Sequence, residues 1–136
     1  MSTPLRVQRR IEFCDTDMAG IVHFSNFFRF MESAEVEFLR QRGLSVKLEW
    51  EGQRLGFPRV AASCDYLRPA YFEDLLDVDV AVEKVGDKSV TFNFDFSRDG
   101  KLLARGKVTS VCCTVEPGNQ FRSVPIPATL RAKIED

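Results

Sequence analysis

The sequence predicts an α+β fold, one long amphipathic helix followed by strands joined largely by hairpins. Apolar residues recur three and four apart between about residues 26 and 42, whereas the segments from Arg59 to Glu116 read mainly with the two-residue alternation of extended chain. No second helical crossover separates the later strands, which excludes a doubly wound parallel sheet. An antiparallel sheet with one apolar face must cover that face, and the Phe-rich helix is the only element large enough to do so. At 136 residues the chain is close to the ~150 of one compact domain, so residues 1–136 are taken as a single domain.

The elements follow in chain order. Residues 5–14, LRVQRRIEFC, set Leu5, Val7, Ile11 and Phe13 on one side of an extended segment and Arg6, Gln8, Arg10 and Glu12 on the other. The string DTDMAG, Asp15 to Gly20, breaks the pattern with turn formers. A helix is expected over Asn26–Arg42, with Phe27, Phe30, Met31, Ala34, Phe38 and Leu39 on its buried stripe. Ser25 or Asn26 can cap its start, Arg40 and Arg42 suit the negative end of its dipole, and Gly43 can take the left-handed conformation that stops it. Residues 44–57 read as an irregular connection with a helical turn around Val46 to Gln53.

Strands are expected at RVAASCDY after Pro58 and at DLLDVDVAVEKV after Pro69, with Gly86 and Asp87 as a turn. SVTFNFDF is the cleanest alternation, setting Val90, Phe92, Phe94 and Phe96 against Ser89, Thr91, Asn93 and Asp95. Asp99-Gly100 is a type I′ hairpin signal leading into a long strand from Lys101 to about Glu116, which Pro117-Gly118 ends. Pro125 and Pro127 stiffen the tail before ATLRAKI, which offers about two helical turns.

Nineteen basic against 20 acidic side chains give a net charge of −1, too balanced for the positive field that holds a nucleic-acid backbone. No nucleic-acid partner is therefore expected. The N-terminal residues lack the apolar core of a secretory signal, and no apolar run approaches the ~18 residues that span a bilayer. The expected location is the cytoplasm, with no membrane partner. Cys14, Cys64, Cys112 and Cys113 form no C-x-x-C pair, and the only histidine, His23, is not at zinc-site spacing from them. Buried reduced thiols and no metal site are expected, with Cys112 and Cys113 on opposite faces of a strand.

A polar cluster lies between the first strand and the helix: Asp15, Thr16, Asp17, Gly20, His23, Ser25 and Asn26. Unpaired amides at a helix start carry partial positive charge, so they can stabilise an oxyanion and hold a carboxylate such as Asp17 ionised. Gly20 permits close approach of the backbone to a ligand. Read alone, D-x-x-G before a helix serves ordinary turn and capping roles.

The whole string from Phe13 to Leu39 closely resembles the signature of the 4-hydroxybenzoyl-CoA thioesterase family, a branch of the hot-dog fold. The matching positions are Asp17, Gly20, the pair Ile21 and Val22, and Asn26 with Phe27. The resemblance extends more weakly through Arg68-Pro69 and Lys88-Ser89 to Pro125-Ile126-Pro127. It implies a five-stranded antiparallel sheet wrapped around one long central helix. It also implies a homodimer or homotetramer joined edge to edge, with acyl-CoA in a cleft at the subunit interface and no cofactor. Pairing with a second copy also suits an otherwise unpaired edge strand.

By the same resemblance Asp17 is the carboxylate that attacks the thioester carbonyl or activates water to do so, and the backbone N–H near Phe24 polarises that carbonyl. A thioester has weak carbonyl resonance and a good thiolate leaving group, so an ionised aspartate suffices as nucleophile or general base. Asp15 falls outside the motif and is read as a turn residue. His23 could orient water, contact the acyl group or be structural. Ser25 and Asn26 suit capping, since no Ser-His-acid set stands in recognisable order. Glu32 and Glu35 are read as solvated or interface charges.

The phosphates of CoA call for exposed cations. Lys88 and Ser89 match where related proteins touch the nucleotide, and Arg59, Arg68, Arg105 and Arg122 are further candidates. Phe24, Phe27 and Phe28 are the nearest apolar surface for an acyl or aryl group. Two other classes remain open on the sequence: a non-catalytic acyl-CoA or acyl-carrier binding protein, and an acyl-ACP thioesterase. A hydratase ranks below both, because His23 precedes the helix instead of lying on it.

Overall fold

The structure, a computed structural model, describes residues 4–136. The first three residues of the expected 1–136 domain lie outside the described residues. Leu5–Arg10 forms β1, and the expected strand over 5–14 stops there. Ile11 is fully buried, then Phe13–Asp15 winds into a single 3-10 turn. That turn rotates Phe13 off the face of Leu5, Val7 and Ile11: its ring is 77% exposed and packs edge-on against Phe72. It also leaves Cys14 exposed, while Cys64 is half-buried and only Cys112 and Cys113 are buried thiols, all four unpaired.

The helix α1 spans Asn26–Gln41, and Arg42 is its C-cap. Gly43 follows with φ +70, a left-handed conformation that costs glycine little. The buried stripe is the expected one, except that Leu39 is only partly buried. Ser25 stands at the N-cap, yet its hydroxyl makes no capping bond and meets His23 Nδ1 at 2.8 Å instead. Asn26 does not cap either: its amide donates to the Asp15 carbonyl at 2.8 Å.

Where an irregular connection with a helical turn was expected, the chain forms a hairpin of β2, Lys47–Trp50, and β3, Gln53–Gly56. Glu51 and Gly52, at φ 50 and 80, make the turn, with the two positive φ values of a type I′ loop. β4, Arg59–Tyr66, β5, Leu75–Val85, and β6, Ser89–Arg98, lie where the alternation places them. Asp99 and Gly100 both have positive φ and join β6 to β7, Lys101–Val111. The long strand expected to Glu116 breaks at Cys112, whose N–H bonds the Lys88 carbonyl and whose carbonyl accepts from Val124. The chain leaves the first sheet there and continues as β8, Cys113–Glu116, then β9, Gln120–Ser123, and the two-turn helix α2, Ala128–Glu135.

Two antiparallel sheets result, where the sequence led to one. The larger has five strands in the order β1-β5-β6-β7-β4, and the smaller has four in the order β2-β3-β8-β9. α1 lies across the apolar face of the larger sheet, touching β1, β4, β5 and β7. Val78, Val80, Val82, Val90, Phe92, Phe94 and Phe96 all face inward, as the alternation requires. Phe27 meets Phe96 edge-to-face at 5.1 Å and Phe38 meets Phe92 at 5.3 Å, pairs worth about 0.5–1.5 kcal/mol each beyond area burial. Gly106 of β7 lets the helix come this close, because a Cβ there would collide with the Met31 thioether. No helix among the described residues is long and apolar enough to cross a membrane.

Candidate active site

The polar cluster between β1 and α1 folds around Asp15. Its carboxylate is almost fully buried, accepts Arg9 Nη2 at 3.1 and 2.9 Å, and accepts the Glu12 N–H at 2.8 Å. Its carbonyl accepts the His23 N–H at 2.9 Å and the Asn26 amide at 2.8 Å. Asp15 is thus the hub that ties β1, the following loop and the start of α1 together, consistent with the turn role read for it.

Asp17 sits on the rim of the loop that this hub holds. Its N–H bonds the Ile21 carbonyl at 2.9 Å, Thr16 pairs with Val22, and the Gly20 N–H returns to the Asp17 carbonyl at 3.0 Å. Gly20 has φ +83, so the glycine serves the backbone geometry of this tight turn. The Asp17 carboxylate accepts the Ala19 N–H at 2.8 Å. Its observed donor is an amide of its own turn.

Half-buried Asp17 lines an open cleft of about 480 Å³ together with Phe24, Phe27, Tyr66, Arg68 and Pro69. Phe27 is nearly buried and forms part of the floor, whereas Phe24 is 62% exposed. No hydrogen bond among the described residues occupies the Phe24 N–H. The cleft lining therefore brings together Asp17 and Phe24, whose N–H has no partner among the described residues, with apolar surface. That is the chemistry needed to deliver a nucleophile or base to a carbonyl whose oxygen needs stabilising.

The remaining candidates lie elsewhere. His23 is not in the cleft lining; Nδ1 faces Ser25 Oγ and accepts the Ser25 N–H at 3.2 Å, and its ring stacks on Phe24 at 4.6 Å. Asn26 is buried beneath the loop. Phe28 lies beside Glu32, Arg59 and Ala62 on another face. Lys88 and Ser89 stand at the start of β6, while Arg98 at its end bonds Asp74 and the Pro69 carbonyl beside the cleft. Ten residues of strand separate these ends by about 30 Å, so Lys88 and Ser89 do not reach Asp17 within one chain.

Arg59 begins β4 and Tyr66 ends it, so Arg59 too lies at the far end. It is also engaged, with Nη2 2.8 Å from Glu35 Oε2. Glu35 is 3% exposed, which overturns the solvated half of its solvated-or-interface reading, and burial pushes its carboxyl above the ordinary glutamate value despite Arg59. Arg105 and Arg122 pair with Asp95 and Glu116. Of the cations named from the sequence, Arg68 alone lines the cleft.

Sequence reasoning missed Tyr66 at this site. Its hydroxyl donates to the Phe24 carbonyl at 2.8 Å, and its ring meets Phe27 edge-to-face at 5.4 Å. Its aromatic character at the end of a strand was the available signal, but the partner lies 42 positions earlier in the chain.

Residues 11–134 match the family described as the thioesterase-like superfamily. The chain is 31% identical over 137 residues to a 1,4-dihydroxy-2-naphthoyl-CoA hydrolase of Thermosynechococcus vestitus, covering 98% of this chain and 94% of that one. It is 27% identical to a 4-hydroxybenzoyl-CoA thioesterase of Pseudomonas sp. strain CBS-3, covering 94% of this chain and 95% of that one. Among solved structures, a gentisyl-coenzyme A thioesterase superimposes with a TM-score of 0.82 at 28% identity, covering 96% of this chain and 99% of that one.

Proposed function

The chain belongs to the thioesterase-like superfamily, and from that premise we propose that it hydrolyses an acyl- or aryl-CoA thioester to the free acid and CoA, with Asp17 as the reacting carboxylate. The observation that carries this reading is the placement of Asp17 and the unoccupied Phe24 N–H on one open cleft. The relatives act on hydroxylated aryl-CoA thioesters by their names, and an aryl group suits the Phe24 and Phe27 surface.

Two routes fit the geometry. As a general base, Asp17 takes a proton from water, the resulting hydroxide adds to the carbonyl carbon, and the thiolate leaves and is protonated. As a nucleophile, it adds to the carbonyl carbon and expels the CoA thiolate, which is protonated, and water then opens the resulting anhydride to the free acid and the regenerated carboxylate. In both, negative charge develops on the carbonyl oxygen, where a donor such as the Phe24 N–H is worth about 3–4 kcal/mol. The thioester is electrophilic enough that neither route calls for a resident metal or cofactor.

The separation of Lys88, Ser89 and Arg59 from Asp17 supports a homodimer. β4 is an edge of the larger sheet, with Val60 62% exposed and its outer backbone groups available for pairing. Pairing β4 antiparallel with β4 of a second copy sets the Arg59 end of one strand beside the Tyr66 end of the other. Lys88 and Ser89 of the second copy would then approach the Asp17 cleft and its CoA phosphates. A homotetramer would stack two such pairs. This reading carries a cytoplasmic location, where CoA thioesters are made and consumed.

The test is thiol release over a panel of 4-hydroxybenzoyl-CoA, 1,4-dihydroxy-2-naphthoyl-CoA, gentisyl-CoA and aliphatic acyl-CoAs. Turnover of at least one member is expected. Binding of the panel without release of thiol would assign a non-catalytic acyl-CoA binder, and release from acyl-ACP alone would assign the carrier-protein substrate.

A further inference from the structure

We propose that Tyr66 is a positioning residue for the reaction, holding the turn that carries the Phe24 N–H into the cleft. The proposal rests on the thioesterase reading above and names a group which that reading does not use.

The helix leaves the Phe24 carbonyl unclaimed. In an α-helix this oxygen would accept the Phe28 N–H four residues on. Here the Phe28 N–H goes to Ser25, three residues back, at 3.2 Å. The Tyr66 hydroxyl takes the vacated acceptor at 2.8 Å.

The neighbouring residues of the turn are fixed by other means. His23 is held through its N–H to Asp15 and its carbonyl to the Asn26 N–H. The Phe24 N–H shares its peptide unit with that His23 carbonyl and is held through it, whereas the Phe24 side chain is largely exposed and stacks on the His23 ring. The Tyr66 bond ties down the next peptide unit from β4, so both peptides flanking the Phe24 Cα are fixed and the one that carries the N–H is braced from each side. A donor that must meet a developing oxyanion loses effect when displaced by even about 1 Å.

Tyr66 is suited to a fixed donor role. Its ring is braced edge-to-face on buried Phe27, and burial together with nearby Cys64 pushes the phenol up to about 12, so it stays protonated through the working range. It lines the same cleft as Asp17.

The experiment compares steady-state kinetics of the wild type, Tyr66→Phe and Trp50→Phe on whichever panel thioester the wild type turns over. Tyr66→Phe keeps the ring and removes only the hydroxyl. Trp50→Phe removes a side-chain hydrogen bond of equal length, from Trp50 Nε1 on β2 to Thr129 Oγ1 on α2 at 2.8 Å, and controls for lost stability. The expected result is a fall in kcat of about tenfold for Tyr66→Phe with KM within about twofold, uniform across pH, and no such fall for Trp50→Phe. An active wild type with kcat unchanged in Tyr66→Phe, or with the loss confined to KM, overturns the positioning role while leaving the thioesterase reading intact. A wild type that turns over no member of the panel overturns both.

Discussion

Arg59 at the start of β4 reaches across to Glu35 on α1, with Nη2 2.8 Å from Oε2 and the carboxylate 3% exposed. The pair links an edge strand to the central helix, and the other carboxylate oxygen, Oε1, is buried without a partner among the described residues. Burial is the largest influence on Glu35 and raises its carboxyl above the ordinary value. The unfolded chain then gives up this proton at lower pH than the folded one. Stability from this group is complete below the ordinary glutamate value and is lost as pH rises through the folded value. Thermal melts of wild type and Glu35→Gln across pH 4 to 8 should therefore show the wild type losing ground to the variant as pH rises, then running parallel to it. A difference independent of pH would contradict the assignment.

Removing the other partner should be worse than removing the charge. Arg59→Met leaves an uncompensated buried carboxylate, and a loss of about 2–3 kcal/mol is expected in denaturant unfolding, the solvent-exposed part of Arg59 keeping it below the cost of a fully buried pair. A loss smaller than that of Glu35→Gln would show that the pair does not hold α1 to β4.

Gly106 on β7 faces Met31, which has no exposed surface. Gly106→Val forces the thioether aside in a packed core, and a destabilisation of about 1–3 kcal/mol is expected from equilibrium unfolding. The paired variant Gly106→Val with Met31→Ala should recover part of it, since the smaller side chain makes room. Additive losses would mean the two sites are not in contact.

The β2–β3 hairpin depends on a positive φ at Gly52. Gly52→Ala meets no steric neighbour but must adopt a left-handed conformation, so about 1 kcal/mol of stability should be lost through the backbone alone. Gly52→Asn, which tolerates this conformation better, should lose less. Equal melting points for the two variants would contradict this account of the turn.

If β4 is covered by a second copy, light scattering should give at least twice the 15.5 kDa chain mass. Val60→Asp, which places a charge on the exposed edge, should shift the distribution toward the single chain and lower activity with it. A wild type that runs as a single chain and is fully active would remove the shared-site arrangement.

The parts of the fold that read directly from the chain are those with sustained period. Val90 to Phe96 alternate without error, and the stripe from Phe27 to Phe38 has a single helical solution. The hairpin over 47–56 was illegible because its strands are four residues each and its Glu51-Gly52 turn lacks the Asn-Gly or Asp-Gly signature. The break at Cys112 was hidden inside an apolar run, Val111 to Cys113, that fits a continuous strand equally well. Its cause is non-local, a pair of bonds to Lys88 and Val124. The burial of Glu35 was hidden for the same reason: its partner Arg59 lies 24 positions away and only the fold brings them together. At the site, the D-x-x-G string located the loop, and the resemblance supplied the role proposed for Asp17. The Asp15 hub and the Tyr66 contact needed coordinates, because both join segments distant in sequence or depend on which side chain points inward.

The most direct test of the account is kcat for Asp17→Asn beside Asp15→Asn on the best thioester of the panel. Asp17→Asn keeps the shape of the cleft and removes the reacting charge. A loss of about 10³-fold or more is expected, with the melting point near that of wild type. Asp15→Asn breaks the buried pair with Arg9 and should lower the melting point while costing far less in kcat for the fraction that remains folded. An Asp17→Asn enzyme as active as wild type, or one no more impaired than folded Asp15→Asn, would contradict the central claim.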